Sequence, residues 1–274
     1  MGGRRWLSLC AVAAMLLVTA ACGTAPASSH GSETPVKSAT SPPKSSTTSS
    51  TTSSTTSATT SAGTTCVAGA AGTKTLVTAP EEPASGVATP TSPCWSKIAP
   101  TPLYQTVIAK APAGAAASFK VAWSGQTIYI RANVKQWPMY CNTSGNWYDC
   151  DAIEIYIGPN SELGATYGSH DRQLGVRAQG GAFETGTNGG GVTGETAASS
   201  IVTGTGYLAE LTLPLSNVDV TAASGTVIGF SLAADMPLSG GAVHQSNNTV
   251  AQMMWAGTVN NWQSPKAWGA ILLQ

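Results

Sequence analysis

One stretch of the sequence decides the fold class: Ser118-Phe119-Lys120-Val121-Ala122-Trp123, then Ser124-Gly125, then Thr127-Ile128-Tyr129-Ile130-Arg131-Ala132-Asn133-Val134-Lys135. In its second half, small or branched apolar residues alternate with polar or larger ones. This period of two is typical of a β-strand with one buried face and one face in water. Ser and Gly between the two halves are turn residues. The stretch therefore predicts two strands joined by a tight turn.

Further short runs of the same kind follow. Residues 152–157 place isoleucine at every second position, opposite Glu154 and Tyr156. The other predicted strands are 173–178, 200–203, 207–214, 227–234, 252–255 and 267–273. Gly-rich turns separate them, and no helical periodicity persists beyond about one turn. The sequence therefore predicts an all-β domain over 66–274, an antiparallel β-sandwich of the jelly-roll type.

The N-terminal residues are typical of an export signal. Arg4 and Arg5 precede the apolar run 7–18, which is too short to span a membrane with polar flanks. Small residues then lead to Cys22, so we predict a lipoprotein signal peptide over 1–21 and a lipidated Cys22 as the mature N-terminus. The alternative is an ordinary signal peptide in which this cysteine is incidental. A lipidated cysteine would hold the protein on the extracytoplasmic face of the cell membrane.

Residues 22–65 have the composition of a disordered tether. The 21 residues 45–65 are all Ser, Thr, Ala or Gly. Such a segment cannot bury enough apolar surface to offset the entropy of ordering its backbone. We therefore expect it to hold the following domain away from the membrane.

Four cysteines remain after the signal peptide and the lipidation site: Cys66, Cys94, Cys141 and Cys150. An even number in an exported domain indicates two disulfides. Turn-forming residues separate Cys141 from Cys150, which favours a local pair and leaves Cys66–Cys94 to fasten the N-terminal arm. A metal site is the alternative, but the chain has neither a Cys-x-x-Cys motif nor a nearby pair of histidines.

Charge is scarce in this chain. Thirteen basic and thirteen acidic residues make up 9% of it, whereas about a quarter is usual. Zero net charge excludes the basic surface of a nucleic-acid-binding protein. Asp149, Asp151 and Glu154 are clustered, but hydrolysis of a glycosidic bond needs two carboxyl groups that face each other, and no second cluster is present. We therefore predict that the protein is not an enzyme.

Tryptophans give a stronger indication of function. Trp137, Trp147 and Trp262 lie among Pro, Asn, Gly and Gln, in predicted loops where burial is less automatic than in strands. A pyranose ring has apolar faces that stack on a flat aromatic ring, and hydroxyls that need planar polar partners. Exposed tryptophans beside amides and carboxylates would suit such a ligand. The alternative is that they only pack loops.

Several of these strands together resemble the family 9 carbohydrate-binding modules. The resemblance covers roughly residues 95–274. It is carried by the pattern acidic residue, apolar, Glu, apolar, aromatic at 151–156, and by Asn260-Asn261-Trp262 before the last strand. It implies a jelly-roll sandwich that binds an oligosaccharide, often at a chain end, between two stacked aromatics.

The resemblance also implies particular binding residues. Trp262 matches the terminal stacking aromatic, and Tyr148, with Trp147 adjacent, lies six residues before the strand glutamate, which is Glu154. Arg172 or Arg177 matches an arginine of the following strand. Asn260 and Asn261 would reach sugar hydroxyls.

Two departures from the family pattern bear on calcium. Family members usually carry Asp in the first hairpin turn and after its second strand, where this chain has Ser124-Gly125 and Gln136. We predict that no cofactor is needed, and a family calcium site stays open.

Two other functions remain as alternatives. Similar sandwiches hold b-type haem, for which Met139 and His170 would be the candidate ligands here. The sandwich could also be a structural envelope lipoprotein that binds a protein partner.

Overall fold

The computed structural model describes residues 64–160, 163–242 and 249–274. The predicted signal peptide, Cys22 and all but the last residues of the predicted tether lie outside the described residues. Among the residues that are described, no helix is long and apolar enough to cross a membrane.

Thirteen strands and little helix make up this part of the chain. The single α-helix is one turn, Ala84–Val87, and short 3-10 turns lie at Pro93–Ser96, Trp147–Asp149, Leu215–Val218 and Pro265–Ala267. The strands are β1 (Leu76–Ala79), β2 (Thr101–Pro102), β3 (Gln105–Ile108), β4 (Ala116–Ser124), β5 (Thr127–Lys135), β6 (Ala152–Pro159), β7 (Arg172–Arg177), β8 (Phe183–Thr185), β9 (Thr196–Val202), β10 (Gly206–Pro214), β11 (Val227–Pro237), β12 (Val250–Met254) and β13 (Gly269–Leu273).

The strands form two sheets. The larger has eight strands in the order β1-β13-β11-β6-β7-β8, with β12 paired to β11 and β3 paired to β12. The smaller has five in the order β2-β4-β5-β10-β9. Strand β11 is long enough to pair with β13 over its first half and with β12 over its second, on the edge away from β6. The fold is therefore the predicted β-sandwich.

The core lies between the sheets, where the strand periodicity places it. Phe119 and Val121 of β4 and Ile130 of β5 point inward from the smaller sheet, and Ile153 and Ile155 of β6 point inward from the larger one. Glu154 and Tyr156 alternate with those isoleucines, so their side chains lie on the outer face of the larger sheet. That face carries the candidate site.

The N-terminal arm covers part of the opposite surface, the outer face of the smaller sheet. Val87, Trp95 and Ile98 pack there on Ala122 and Tyr129. The two predicted disulfides, Cys66–Cys94 and Cys141–Cys150, are confirmed. The first closes the arm and the second closes the loop between β5 and β6.

The sandwich is not wholly antiparallel. All nine predicted strands are present, one of them (127–135) with the predicted ends and the others with shifted ends, but β1, β2, β3 and β8 were not predicted. Strand β1 pairs with β13 in parallel, whereas the other described strand pairs are antiparallel as predicted. These four strands are only two to four residues long, which is too short for a periodic pattern to indicate a strand. They form because they pair with strands that are distant in the sequence.

Candidate binding site

Glu154 is at the centre of the outer face of the larger sheet. In the strand register it lies opposite Gly175 of β7 on one side and Ala233 of β11 on the other. Neither neighbour has a side chain that extends beyond a methyl group, so side chains from other elements can pack above the sheet beside the carboxylate. Glu154 is only 1% exposed.

Three donors hold the Glu154 carboxylate in place. Gln173 Nε2 donates to its Oε2 at 2.9 Å, and Gln252 Nε2 donates to its Oε1 at 3.3 Å. The Tyr156 hydroxyl also donates to Oε2. These three bonds, together with a hydrogen bond between Glu154 and Asp235, fix the orientation of the carboxylate.

Tyr148 forms one wall of the site. It sits in the 3-10 turn Trp147–Asp149, which a capping box closes: Asp149 accepts from the Asn146 N–H at 2.7 Å. Trp147 lies over Gly175 and donates its indole N–H to Thr185 O at 3.3 Å. The two rings meet edge to face at 5.4 Å, so Trp147 supports Tyr148 from behind.

Trp262 belongs to the opposite wall. It packs against the outer-face cluster, which we define as Tyr156, Ala233, Met254 and Trp268. Thr187 Oγ1 donates to its carbonyl at 2.9 Å. The preceding residue, Asn261, fixes the loop: its Nδ2 donates to Ala256 O and its Oδ1 accepts from Thr258 N, both at 2.9 Å.

These walls enclose an open pocket of about 270 Å³, which we call the aromatic pocket. Its lining is Tyr148, Glu154, Tyr156, Gln173, Gly186, Thr187, Gln252, Val259 and Trp262. Three aromatic side chains, one carboxylate and two amides in this lining suit a ligand with apolar faces and neutral hydroxyl groups.

The structure brings together three of the predicted residues: Tyr148, Glu154 and Trp262. Trp147 is one layer behind the lining. Asn261 is fully buried and its amide is used within the loop, so it does not line the pocket. Asn260 is exposed beside the pocket lining but is not part of it.

Neither predicted arginine lines the aromatic pocket. Arg172 and Arg177 are the two ends of β7, while the residue opposite Glu154 is Gly175 in the middle. The Arg172 guanidinium donates to Ser169 O at 2.6 Å, and Arg177 forms an ion pair of 2.5 Å with Glu184.

Sequence reasoning missed Gln173, Gln252 and Thr187. Gln173 Oε1 accepts from the Thr187 N–H at 3.0 Å, so this amide joins Glu154 to the loop after β8. Gly186 makes room for it, because a Cβ there would lie 2.3 Å from Gln173 Oε1. The sequence does place Gln173 and Gln252 in predicted strands. Only the order of the strands in the sheet shows that both side chains reach Glu154.

Burial sets the electrostatics of the site. Burial raises the pKa of Tyr148, and Asp149, Glu154 and Asp235 raise it further. Burial also raises the pKa of Asp235 to about 7, against a lowering by its hydrogen bonds to Glu154 and Gln252. One proton held by the hydrogen-bonded pair of Asp235 and Glu154 therefore avoids two buried negative charges side by side.

The other acidic residues of the predicted cluster have structural roles. Asp149 closes the capping box, and Asp151 Oδ2 accepts from the Tyr140 N–H at 2.6 Å. The positions at which the resemblance implied calcium supply no carboxylate: Ser124 ends β4, Gly125 begins the turn after it, and the Gln136 amide donates to Pro237 O at 3.0 Å. These positions therefore offer none of the carboxylate oxygens that calcium usually takes as ligands.

The candidate haem ligands lie in different surroundings. Met139 is half-buried against the main core, whereas His170 is near the surface with its Nδ1 3.9 Å from Asp219. Cys66, Cys94 and Glu82 are the one group of described residues with metal-ligand spacing, and the disulfide occupies both of its thiols.

The fold and the aromatic pocket define a β-sandwich domain that binds a small ligand on the outer face of one sheet. The chain belongs to the carbohydrate family 9 binding domain-like family, whose model matches residues 88–274. The family that the sequence resembles is thereby confirmed.

Known relatives agree with this assignment. The chain is 26% identical over 162 residues to the exoglucanase XynX of Acetivibrio thermocellus, which covers 58% of this chain and 14% of that protein. It thus spans about one seventh of the length of this relative. Two solved structures of a family 9 module from Caldicellulosiruptor kristjanssonii have a similar fold. The complex with cellotriose has a TM-score of 0.59 at 19% identity and covers 73% of this chain and 93% of that one. The complex with glucose has a TM-score of 0.58 at 21% identity and covers 73% of this chain and 95% of that one.

Proposed function

We propose that the domain binds a neutral sugar, without acting on it, and that Cys22 anchors it to the extracytoplasmic face of the membrane. The observation that carries the binding proposal is the aromatic pocket, in which Tyr148 and Trp262 flank the buried Glu154. The apolar faces of a pyranose would lie against the two rings. Its hydroxyls would donate to Glu154 and bond to the amide of Gln252.

The absence of a second acid supports a binding role over a catalytic one. Glu154 is the only carboxylate among the described residues that line the aromatic pocket. Glycoside hydrolysis needs two carboxyl groups on either side of the bond, about 5 to 9.5 Å apart. Asp235 is fully buried and is not among the residues that line the pocket, which does not favour it as the second group.

Glucose and cello-oligosaccharides are the first ligands to test, because similar modules were solved with cellotriose and with glucose. A glycan array with a soluble Thr59–Gln274 unit would test the proposal. We expect binding to neutral glucans and a complete loss of that binding in Glu154→Ala. Binding to no glycan on the array would contradict the proposed function.

The anchor is tested separately. We expect membrane fractions to retain the wild-type chain and to lose the Cys22→Ala variant, because an acyl chain on this cysteine would be the only attachment. Equal membrane retention of both proteins would contradict lipidation at Cys22.

A further inference from the structure

A second pocket lies on the opposite side of the sandwich, on the outer face of the smaller sheet. It has a volume of about 280 Å³ and is lined by Pro100, Ser118, Lys120, Arg131 and Asn133. We call it the basic pocket. The core separates it from the aromatic pocket, so the two do not share a residue.

Two cationic side chains face each other in the basic pocket. Lys120 of β4 is directly opposite Arg131 of β5 in the strand register. Like charges in directly opposed positions destabilise a sheet. In a chain with only 13 basic residues, this placement costs stability that a ligand of opposite charge would recover.

The Arg131 guanidinium has unused donors. Its Nε is buried and has no hydrogen-bond partner, and no hydrogen bond or ion pair found among the described residues involves this side chain. Lys120 donates one of its three protons to Trp95 O. Arg172 donates a hydrogen bond and Arg177 forms an ion pair within the chain, whereas the Arg131 guanidinium lines the pocket without a hydrogen bond to another described residue.

The one nearby carboxyl group does not neutralise the pair. Glu210 of β10 is opposite Arg131 in the register, but it is buried, and its Oε2 accepts from the Trp95 indole N–H at 3.0 Å. Burial raises the pKa of Glu210 to about 8, although Trp95 and Arg131 lower it. At neutral pH the basic pocket therefore keeps an excess of positive charge.

We propose that the basic pocket binds the carboxylate of a uronic acid in an acidic glycan. A planar carboxylate matches the fork of a guanidinium and can accept two parallel hydrogen bonds from it. Lys120 would supply a second charge, while Ser118 and Asn133 offer a hydroxyl and an amide for the ring hydroxyls of the same sugar. These neutral partners favour a uronic acid over a bare anion such as phosphate.

This site does not depend on the ligand of the aromatic pocket, so the two can be tested apart. The experiment is calorimetric titration of the full chain in detergent with methyl β-D-glucuronide, with methyl β-D-glucoside and with inorganic phosphate. The Trp262→Ala background weakens binding in the aromatic pocket. In that background we expect the glucuronide to bind as it does to the wild type, and the glucoside to bind about 30-fold more weakly than to the wild type.

Substitution in the basic pocket should then remove glucuronide binding. We expect Arg131→Gln to weaken it at least tenfold, while the matched control Lys135→Gln, an exposed cation on the same strand, leaves it unchanged. Equal affinity in Arg131→Gln would overturn the proposal, as would phosphate binding as tightly as the glucuronide.

A measurement on the wild-type protein tests the proposal even if the Arg131 variant does not fold. Wild-type glucuronide affinity should fall as NaCl is raised from 0.05 to about 0.5 M, because salt screens the attraction between partly exposed charges. Affinity that is independent of salt would overturn the proposal. Absence of glucoside binding in the wild type, with glucuronide binding intact, would contradict the proposed function and leave this site supported.

Discussion

Trp262→Ala is the most informative perturbation of the aromatic pocket, because this side chain has two roles. It packs on the outer-face cluster and it also lines the pocket. Truncation of a fully buried tryptophan costs about 3–5 kcal/mol. Since Trp262 is only partly buried, we expect a loss of about 1–2 kcal/mol of stability.

Trp262→Ala should remove a larger fraction of the free energy of sugar binding than of the free energy of unfolding. Truncation of an aromatic anchor at a binding site costs about 2 kcal/mol or more, which is about a 30-fold increase in Kd. The stability loss corresponds to a fall in Tm of about 2–8 °C for a domain of this size. The ring is therefore expected to contribute to both quantities, and mainly to binding.

Calorimetric titration with a glucoside and thermal unfolding of the same samples would measure both effects. Trp137→Ala is the matched control: this ring is 48% exposed and lies outside the aromatic pocket, so affinity should be unchanged. A Trp262→Ala protein with a lowered Tm but wild-type affinity would refute the reasoning, since it would make this residue purely structural.

Two further predictions concern the structure around the aromatic pocket and the buried acids. In Gly175→Ala, the new Cβ would lie 2.4 Å from Trp147 Cζ3, so the indole must move and carry Tyr148 with it; we expect a loss of about 1–3 kcal/mol of stability and weaker sugar binding. Gly190→Ala is the control, since its Cβ would meet nothing within 4 Å, and equal Tm values for the two variants would contradict the packing argument. Thermal stability should also fall as the pH rises from about 5 to 8. The folded domain keeps protons that the unfolded chain releases near pH 4, because burial raises the pKa of three carboxyl groups to about 7 or 8: Asp151, Asp235 and Glu210. Asp235→Asn should flatten this fall, and a Tm that is constant or rises across that range would show that these groups are ionised in the folded state.

Local sequence was sufficient to predict the strands that bury one face. The alternation in 127–135 and 152–157 fixes which side chains point to the core, and so it also placed Glu154 outward. The two disulfides could be predicted because Cys141 and Cys150 are close in sequence, and Cys66 and Cys94 were then the two cysteines left to pair. The resemblance to a known family added Tyr148 and Trp262.

The rest of the site depends on the order of the strands, which local sequence does not contain. Gln252 reaches Glu154 only because β12 and β6 flank the same strand, β11. The arginines were misplaced because the register puts Gly175, the middle of β7, opposite the glutamate. Asn261 adjoins a predicted stacking residue, but its amide satisfies backbone groups of its own loop, which only the folded turn reveals.

The Cys66–Cys94 disulfide also determines how the domain would respond to a pulling force. If a bound polysaccharide were pulled away from the membrane, tension would enter the domain near residue 64, at the start of the arm. The bond between residues 28 apart in sequence transmits that tension directly to Cys94 and bypasses the segment between them. Without it, that segment could be peeled off and could lengthen the chain by roughly 95 Å, at 3.3–3.6 Å per residue. The disulfide therefore makes the end of the domain mechanically stiff at the point where the load would enter.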